Sequence, residues 1–316
     1  MNLFVTGASG FIGMALTRAL SHKYTVYGST RRSDVKLPRD VHKIMWDHSS
    51  DMTVSLPRLD TVVHLAARAH IMRDAARDPL SAFRVANVDQ TLSLARLAAY
   101  HGAKRFVFVS SIKVNGEVTL PGQPFSGNSL PSPEDPYAIS KWEAEQSLLQ
   151  IGREHGMEIV IIRPPLVYGP GVKGNFASMV RWLRRGVPLP FGAIDNKRSL
   201  IALENLIDFI ALCVDREKSP NAANQIFLLS DGEVVSTTEL LQKVAMAYAV
   251  KPRLIAIPHA WLRFALESSG NRGLASRLLG SLVIDSVKTR EVLGWQPVLS
   301  MDEQLRKMAS HDASNT

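Results

Sequence analysis

Tyr137 and Lys141 stand four residues apart in the run Tyr137-Ala138-Ile139-Ser140-Lys141, so at the start of a helix both side chains leave from one face. A free phenol ionises near pH ~10, too high to exchange protons easily at neutral pH. A nearby ammonium favours the phenolate and lowers that value, which makes the pair a tunable acid and base. A second run with chemical meaning, Thr6-Gly7-Ala8-Ser9-Gly10-Phe11-Ile12-Gly13, lies near the N-terminus. It separates a short apolar stretch, Asn2 to Thr6, from a segment with helical spacing, Phe11 to Leu20. Gly7 permits a tight turn, Gly10 lets the backbone approach a phosphate, and Gly13 lets helix and sheet pack closely. Free N–H groups at the helix start, around Phe11 and Ile12, then face a pyrophosphate. A proton-exchanging pair in a chain that begins with a dinucleotide turn implies hydride chemistry on a nicotinamide.

The end of the second strand bears on which nicotinamide cofactor is used. A site for NAD usually places an acidic residue about 20 residues beyond the glycines, on the adenosine ribose. Here the strand Thr25-Val26-Tyr27-Gly28 ends in Ser29-Thr30-Arg31-Arg32, with no carboxylate. Two guanidiniums suit a ribose phosphate, so Arg31 and Arg32 favour NADP(H) over NAD(H). The alternative is a solvated basic loop with Asp34 reaching back to the ribose. Asp47, after the strand Lys43 to Trp46, is read either as a partner of the adenine amino group or as a strand-end turn residue. No metal site is expected.

The elements that must position these groups alternate. Further strands are read at Thr61 to Ala66, Arg105 to Ser110 and Glu158 to Arg163, and helices at Pro79 to His101 and Tyr137 to Glu154. Such alternation predicts an α/β fold, a Rossmann-type doubly wound parallel sheet whose ligands collect at the carboxyl ends of the strands. After Tyr168-Gly169-Pro170-Gly171 the rhythm breaks, with strands read near Ile226 to Leu229 and Leu254 to Ile257. Residues 1–170 are therefore assigned to a dinucleotide-binding domain. Residues 171–316 are assigned to a smaller mixed α/β substrate domain, some of whose segments return to the Rossmann core.

Composition narrows the class. At 316 residues, 46% hydrophobic and 21% charged, the chain has ordinary globular usage. The lone Cys213, inside the apolar stretch Leu206 to Val214, excludes an internal disulfide framework and reads as core. No apolar run reaches the ~20 residues a membrane span needs, and no signal peptide is read, so a cytoplasmic protein is expected. A net charge of +8 raises nucleic acid as a partner, but the basic residues are scattered and no aromatic-interleaved stripe accompanies them. Anionic small molecules account for the excess. Trp261 to Leu282, with Arg263, Arg272 and Arg277, is read as an ordinary packed helical segment rather than a membrane-surface helix.

The glycine turn, His64-Leu65-Ala66-Ala67, Ser110-Ser111, Tyr137 with Lys141, and Arg163-Pro164-Pro165-Leu166-Val167-Tyr168-Gly169-Pro170-Gly171 together resemble the extended short-chain dehydrogenase/reductase family, in its UDP-glucose 4-epimerase branch. The resemblance runs from about Asn2 to Pro297. It implies Ser111 as the hydroxyl that bonds the reacting sugar oxygen, Tyr137 as proton donor or acceptor, and Lys141 as its electrostatic partner on the nicotinamide ribose. It further implies Leu65, Ala66, Ala67 and Asn87 beside the cofactor. For a UDP-sugar substrate it implies Asn175 near the diphosphate, Leu189-Pro190-Phe191-Gly192 at the uracil, and Arg198 clamping the diphosphate. Helices such as Pro79 to His101 and Tyr137 to Glu154 often form a dimer bundle in this family, so a homodimer is one expectation.

Departures from the family pattern bear on the reaction. Sugar dehydratases of the family carry an Asp-Glu pair after the hydroxyl residue, where this chain has Ile112-Lys113. An aliphatic residue transfers no protons, which disfavours dehydration. Ser110 to Glu117 and Asp135 to Glu143 are similar to 4-ketoreductases of bacterial surface-polysaccharide (lipopolysaccharide) biosynthesis. That likeness implies NAD(P)H-dependent reduction of UDP-4-keto-6-deoxy-N-acetylglucosamine to UDP-N-acetylquinovosamine or UDP-N-acetylfucosamine. The alternative is a UDP-hexose 4-epimerase, acting on UDP-glucose or UDP-N-acetylglucosamine with retained NAD. A more distant one is a non-catalytic NADP-sensing regulator, which the intact Tyr137 and Lys141 pair counts against.

Overall fold

The structure is a computed structural model and describes residues 1–46, 56–69, 78–268 and 272–314. In chain order the first half runs β1 (Asn2–Thr6), α1 (Phe11–Leu20), β2 (Thr25–Thr30), β3 (Val41–Met45), β4 (Thr61–His64), α2 (Pro79–Arg84), α3 (Gln90–Tyr100), β5 (Arg105–Val109), α4 (Pro136–His155) and β6 (Glu158–Arg163). The rest runs β7 (Leu166–Tyr168), α5 (Gly174–Arg184), β8 (Arg198–Ala202), α6 (Leu203–Val214), β9 (Gln225–Leu228), β10 (Val234–Val235), α7 (Thr237–Ala247), α8 (His259–Ser268), α9 (Arg272–Leu279), α10 (Val287–Leu293) and α11 (Met301–Ser314). Seven strands form one parallel sheet in the order β3-β2-β1-β4-β5-β6-β9. This is the doubly wound α/β fold that the alternation predicts.

Side-chain alternation divides each strand between two cores. Leu3 and Val5 of β1 join Leu16, Leu206, Phe209 and Ile210 on the side covered by α1 and α6. Phe4 joins Leu94, Ala98, Leu148 and Ile151 on the side of α3 and α4. Because both faces are covered, a central strand can be buried end to end, as β5 is, even at Arg105. Its guanidinium is satisfied by Glu158, the Cys213 carbonyl and Ser219, in keeping with the rule that buried charge must be paired. Cys213 is buried as expected.

A second, three-stranded sheet, β10-β8-β7, packs with α5, α7 and α11 around Tyr168, Leu200, Leu241 and Leu305. The buried Tyr168 hydroxyl donates to Asp231 at 2.7 Å, while Asp231 also accepts from Ala202 N–H and Asn205, which ties the loop between β9 and β10 to the small sheet. Leu254 to Ile257 does not extend into a strand; only Leu254 bridges, to Leu189. Trp261 and Phe264, read as packed, are each 75% exposed, whereas Leu262 beside them is buried. Among the described residues no helix is long and apolar enough to cross a membrane.

The helix predicted over Pro79 to His101 is interrupted. Between α2 and α3 the residues Val85–Asp89 form a π-turn, which rotates Asn87 into the interior. At the glycine turn a Cβ on Gly13 would stand 2.1 Å from the Gly7 carbonyl oxygen and 2.8 Å from Ala8 Cα. Both obstacles are backbone, so Gly13→Ala is expected to lower stability by about 1–3 kcal/mol and to weaken nucleotide binding. A urea midpoint equal to wild type would contradict it.

Candidate active site

The order of the large sheet reverses between β1 and β4, and the carboxyl ends of these strands meet the glycine turn. Gly7 has φ +65°, and a Cβ there would lie 2.9 Å from the Ala66 nitrogen. Thr6 Oγ1 accepts from the N–H groups of Leu65 and Ala66 at 3.2 and 3.3 Å. The Leu65-Ala66 backbone thus lies against the turn, with Ala67 exposed beyond it. Gly10 starts α1 without a side-chain cap, and the first helical turn, Phe11-Ile12-Gly13, holds no acidic residue. Along the same edge of the sheet the buried hydroxyls of Ser29 and Ser110 have no hydrogen-bond partner among the described residues. An uncapped positive helix end, a turn that a side chain would fill and two orphaned hydroxyls fit a bound dinucleotide.

At the adenosine end the picture is mixed. Arg31 is exposed and has no side-chain partner among the described residues. Arg32, also exposed, grips Asp34 through Nε at 3.0 Å and Nη2 at 2.5 Å. Such an exposed pair is weakly held, so an incoming phosphate can compete for the guanidinium. Asp47 lies outside the described residues.

Sequence reasoning missed a chain of hydrogen bonds that links the glycine turn to the Tyr137 helix. Thr6 Oγ1 meets His64 Nδ1 at 2.6 Å, and His64 Nε2 meets Thr91 Oγ1 at 2.9 Å. Thr91 gives its only proton to the Asn87 carbonyl at 2.7 Å. Nε2 must therefore carry a proton and donate to Thr91. The Asn87 carboxamide accepts from Arg68 N–H and donates to Ser140 Oγ at 3.0 Å, which donates in turn to the Tyr137 carbonyl at 2.8 Å. The signal available in the sequence was a run of polar residues, His64, Asn87 and Thr91, in otherwise apolar elements.

Ser111 follows β5 and opens a single 3₁₀ turn, Ile112–Val114, its Oγ accepting from Lys113 N–H. The turn is tied to α4 at two places. Lys113 Nζ reaches Asp135, which caps α4 by accepting from Ala138 N–H at 2.7 Å. Asn115 accepts from Arg163, whose guanidinium also binds Glu145 of α4 in the interior. Tyr137, the second residue of α4, lies close enough to the Ser111 hydroxyl for that group to favour its ionised form, and packs its edge on Phe83. Ser111 and Tyr137 are thus brought together.

The electrostatics of the pair differ from expectation. Lys141 is only 1% exposed, and its Nζ lies 3.8 Å above the centroid of the Phe108 ring. Burial pushes its ammonium down to about 7, against a smaller upward pull from Glu145. Burial pushes the Tyr137 phenol up to about 12, helped by Asp135 and opposed by the Ser111 hydroxyl. An ammonium this desolvated does not hold the phenol below its ordinary value, so the phenol stands protonated.

Because the native lysine sheds its proton near pH 7 while the unfolded chain keeps it to 10.5, stability should rise as pH climbs through that window. Lys141→Met is expected to remove the rise and to stabilise the fold at neutral pH by about 0.5–2 kcal/mol while turnover is lost. Urea midpoints at several pH values check this. A midpoint below wild type at pH 7 would refute it.

The residues predicted for substrate lie on the second sheet and its neighbours. Leu189 N–H donates to the Arg253 carbonyl and Gly192 N–H to that of Ile255, each within 2.9 Å, which holds Pro190 and Phe191 half-buried. Arg198 begins β8 and donates to the Gly280 carbonyl at 3.0 Å. Its backbone bridges to Leu282, whose side chain belongs to the same apolar cluster as Ile112. Asn175 is exposed in the first turn of α5. A cavity of about 880 Å³ opens beside this region, lined by Gly192 to Lys197, Ser236 and His259 among others.

Comparison with known proteins agrees with this geometry. The model of the NAD dependent epimerase/dehydratase family matches residues 3–227. UDP-glucose 4-epimerase of Vibrio cholerae is 42% identical over 98% of this chain and 94% of its own length. GDP-6-deoxy-D-mannose reductase of Pseudomonas aeruginosa is 28% identical over 98% of this chain and 96% of its own. The solved structure of MoeE5 in complex with UDP-glucuronic acid and NAD superposes with a TM-score of 0.79, covering 100% of both chains at 23% identity.

Proposed function

The chain belongs to the NAD dependent epimerase/dehydratase family, and from that premise we propose that it is a 4-ketoreductase of a UDP-4-keto-6-deoxy-N-acetylhexosamine. The product is UDP-N-acetylquinovosamine or UDP-N-acetylfucosamine, and the setting is surface-polysaccharide biosynthesis. That it is a nicotinamide-dependent enzyme follows from the family itself, whose members among its relatives are epimerases and reductases. The direction of the reaction and the substrate are the proposal. The observation that carries the reductive direction is the end of β2, where Arg31 and Arg32 follow with no acidic residue directly after the strand. A ketoreductase consumes reduced cofactor at each turnover and commonly uses NADPH, whereas a 4-epimerase oxidises and re-reduces its sugar on one retained NAD.

Phe11 and Ile12 N–H groups would hold the pyrophosphate, Arg31 and Arg32 a ribose phosphate, and Leu65 to Ala67 with Asn87 the wall beside the cofactor. When bound, the reduced cofactor supplies the hydride for the C4 carbonyl of the sugar. Ser111 would steady the carbonyl oxygen, Tyr137 would pass it a proton as the alkoxide forms, and Lys141, one helical turn further along α4, would hold the nicotinamide ribose. Asn175, Pro190, Phe191 and Arg198 would hold the UDP moiety. The absence of an acidic residue directly after β2 favours NADPH as the reductant.

The test is a spectrophotometric assay of the purified chain with the keto-sugar and either NADPH or NADH. Loss of reduced-cofactor absorbance, faster with NADPH, is the expected result. The name of the Vibrio cholerae relative favours a second reading, a UDP-hexose 4-epimerase with tightly held NAD. Interconversion of UDP-glucose or UDP-N-acetylglucosamine with its epimer, with no added cofactor and no reduction of the keto-sugar, would establish that reading instead.

A further inference from the structure

We propose that Lys113 is a positioning residue that locks the Ser111 hydroxyl to the helix carrying Tyr137, so that both groups reach one carbonyl oxygen together. The inference rests on the roles given to Ser111 and Tyr137 above. Lys113 touches both arms of the site. Its main-chain N–H donates to Ser111 Oγ at 3.3 Å, and its Nζ binds one oxygen of Asp135. The other oxygen of that carboxylate accepts from Ala138 N–H at 2.7 Å and so caps α4, two residues before Tyr137. Glu117 takes a further bond from the same ammonium.

The three side chains are only partly open to water, at 22% for Lys113, 18% for Glu117 and 32% for Asp135. The tie is therefore less screened than a surface pair. A lone 3₁₀ turn such as Ile112–Val114 has poor hydrogen-bond geometry of its own and depends on what holds its ends. Asn115, through Arg163 and Glu145, fixes the far end to the middle of α4. Backbone bonds hold the turn itself, Ile112 N–H donating to the Pro164 carbonyl at 3.0 Å and the Val114 carbonyl accepting from Ser132 N–H at 2.9 Å, and Lys113 adds the tie that runs from Ser111 to the cap of α4. A displacement of about 1 Å at Ser111 is enough to cost about 100-fold in rate.

Lys113→Met is expected to lower kcat about 10- to 100-fold while the KM for the sugar and the Kd for the reduced cofactor stay within about twofold. Lys113→Arg, which can still bridge two carboxylates, should restore most of the rate. Asp135→Asn keeps a helix cap but loses the ion pair, and should lower kcat as well. The double variant of Lys113→Met with Asp135→Asn should fall no further than the worse single change, because both break one tie. Amide exchange in segments 111–117 and 135–141 should quicken in Lys113→Met and stay unchanged elsewhere.

A kcat for Lys113→Met within twofold of wild type, additive losses in the double variant, no rescue by arginine, or unchanged exchange would each overturn the assignment. Should Lys113→Met not fold, the Arg and Asn variants carry the test. The exchange data read the tie itself in the full chain, whatever the substrate. Failure of the catalytic reading would show separately, as retained turnover in a Tyr137 variant.

Discussion

Tyr137→Phe should lower turnover of the keto-sugar by about 100- to 10,000-fold while leaving the Kd for reduced cofactor within about twofold. The ring stays, so its edge contact with Phe83 and the packing of α4 persist. The change removes the hydroxyl beside Ser111, the group assigned to give a proton to the forming alkoxide. A phenol kept up at about 12 remains a donor across the neutral and mildly alkaline range. The wild-type rate of reduction should therefore show no loss as pH passes the ordinary tyrosine value near ~10, provided the fold survives. Steady-state kinetics and a fluorescence titration of cofactor binding provide the check. Full turnover in the variant would remove Tyr137 from the reaction and end the reductase assignment with it.

Much of this site can be read from local spacing because its parts sit close together in the chain. The glycines of the turn lie within seven residues, and Tyr137 and Lys141 within one helical turn, so periodicity alone puts them in the right element. The doubly wound sheet is legible for the same reason, from strands and helices in alternation. The rest is set by burial and by contacts between distant segments. Spacing makes Lys141 a charged neighbour of the phenol, but its Nζ rests on Phe108, a residue of β5, and desolvation governs both groups. The π-turn at Asn87 shifts the helical phase by one residue, a change that an amphipathic pattern absorbs without trace. His64 reads as part of a motif, and only the fold shows it joining Thr6 of β1 to Thr91 of α3. In the sequence Lys113 is informative only for the dehydratase chemistry it lacks, while its position makes it a contact between two arms of the site.

The Glu145 carboxylate, completely buried, binds Arg163 through Nε at 3.0 Å and Nη2 at 2.5 Å, and the guanidinium is itself only 4% exposed. Glu145→Ala would leave that cation in the interior with Asn115 as its remaining side-chain partner among the described residues. Removing one member of a buried pair typically costs about 3–5 kcal/mol, because the other charge stays desolvated without compensation. That range is a large share of the stability of an ordinary domain, so the expected result is a marked fall in urea midpoint with the slope of the transition unchanged. Glu145→Gln, which can still accept one bond, should lose less. Replacing both residues, Glu145→Leu with Arg163→Met, should recover much of the loss, since no charge is then left to solvate. Turnover should not recover in that double variant, because Asn115 no longer has the arginine that fixes the Ser111 turn to α4. The pair is thus assigned a role in geometry rather than in net stability. A midpoint for Glu145→Ala within about 1 kcal/mol of wild type, or full activity in the double variant, would show that the turn is held by other means.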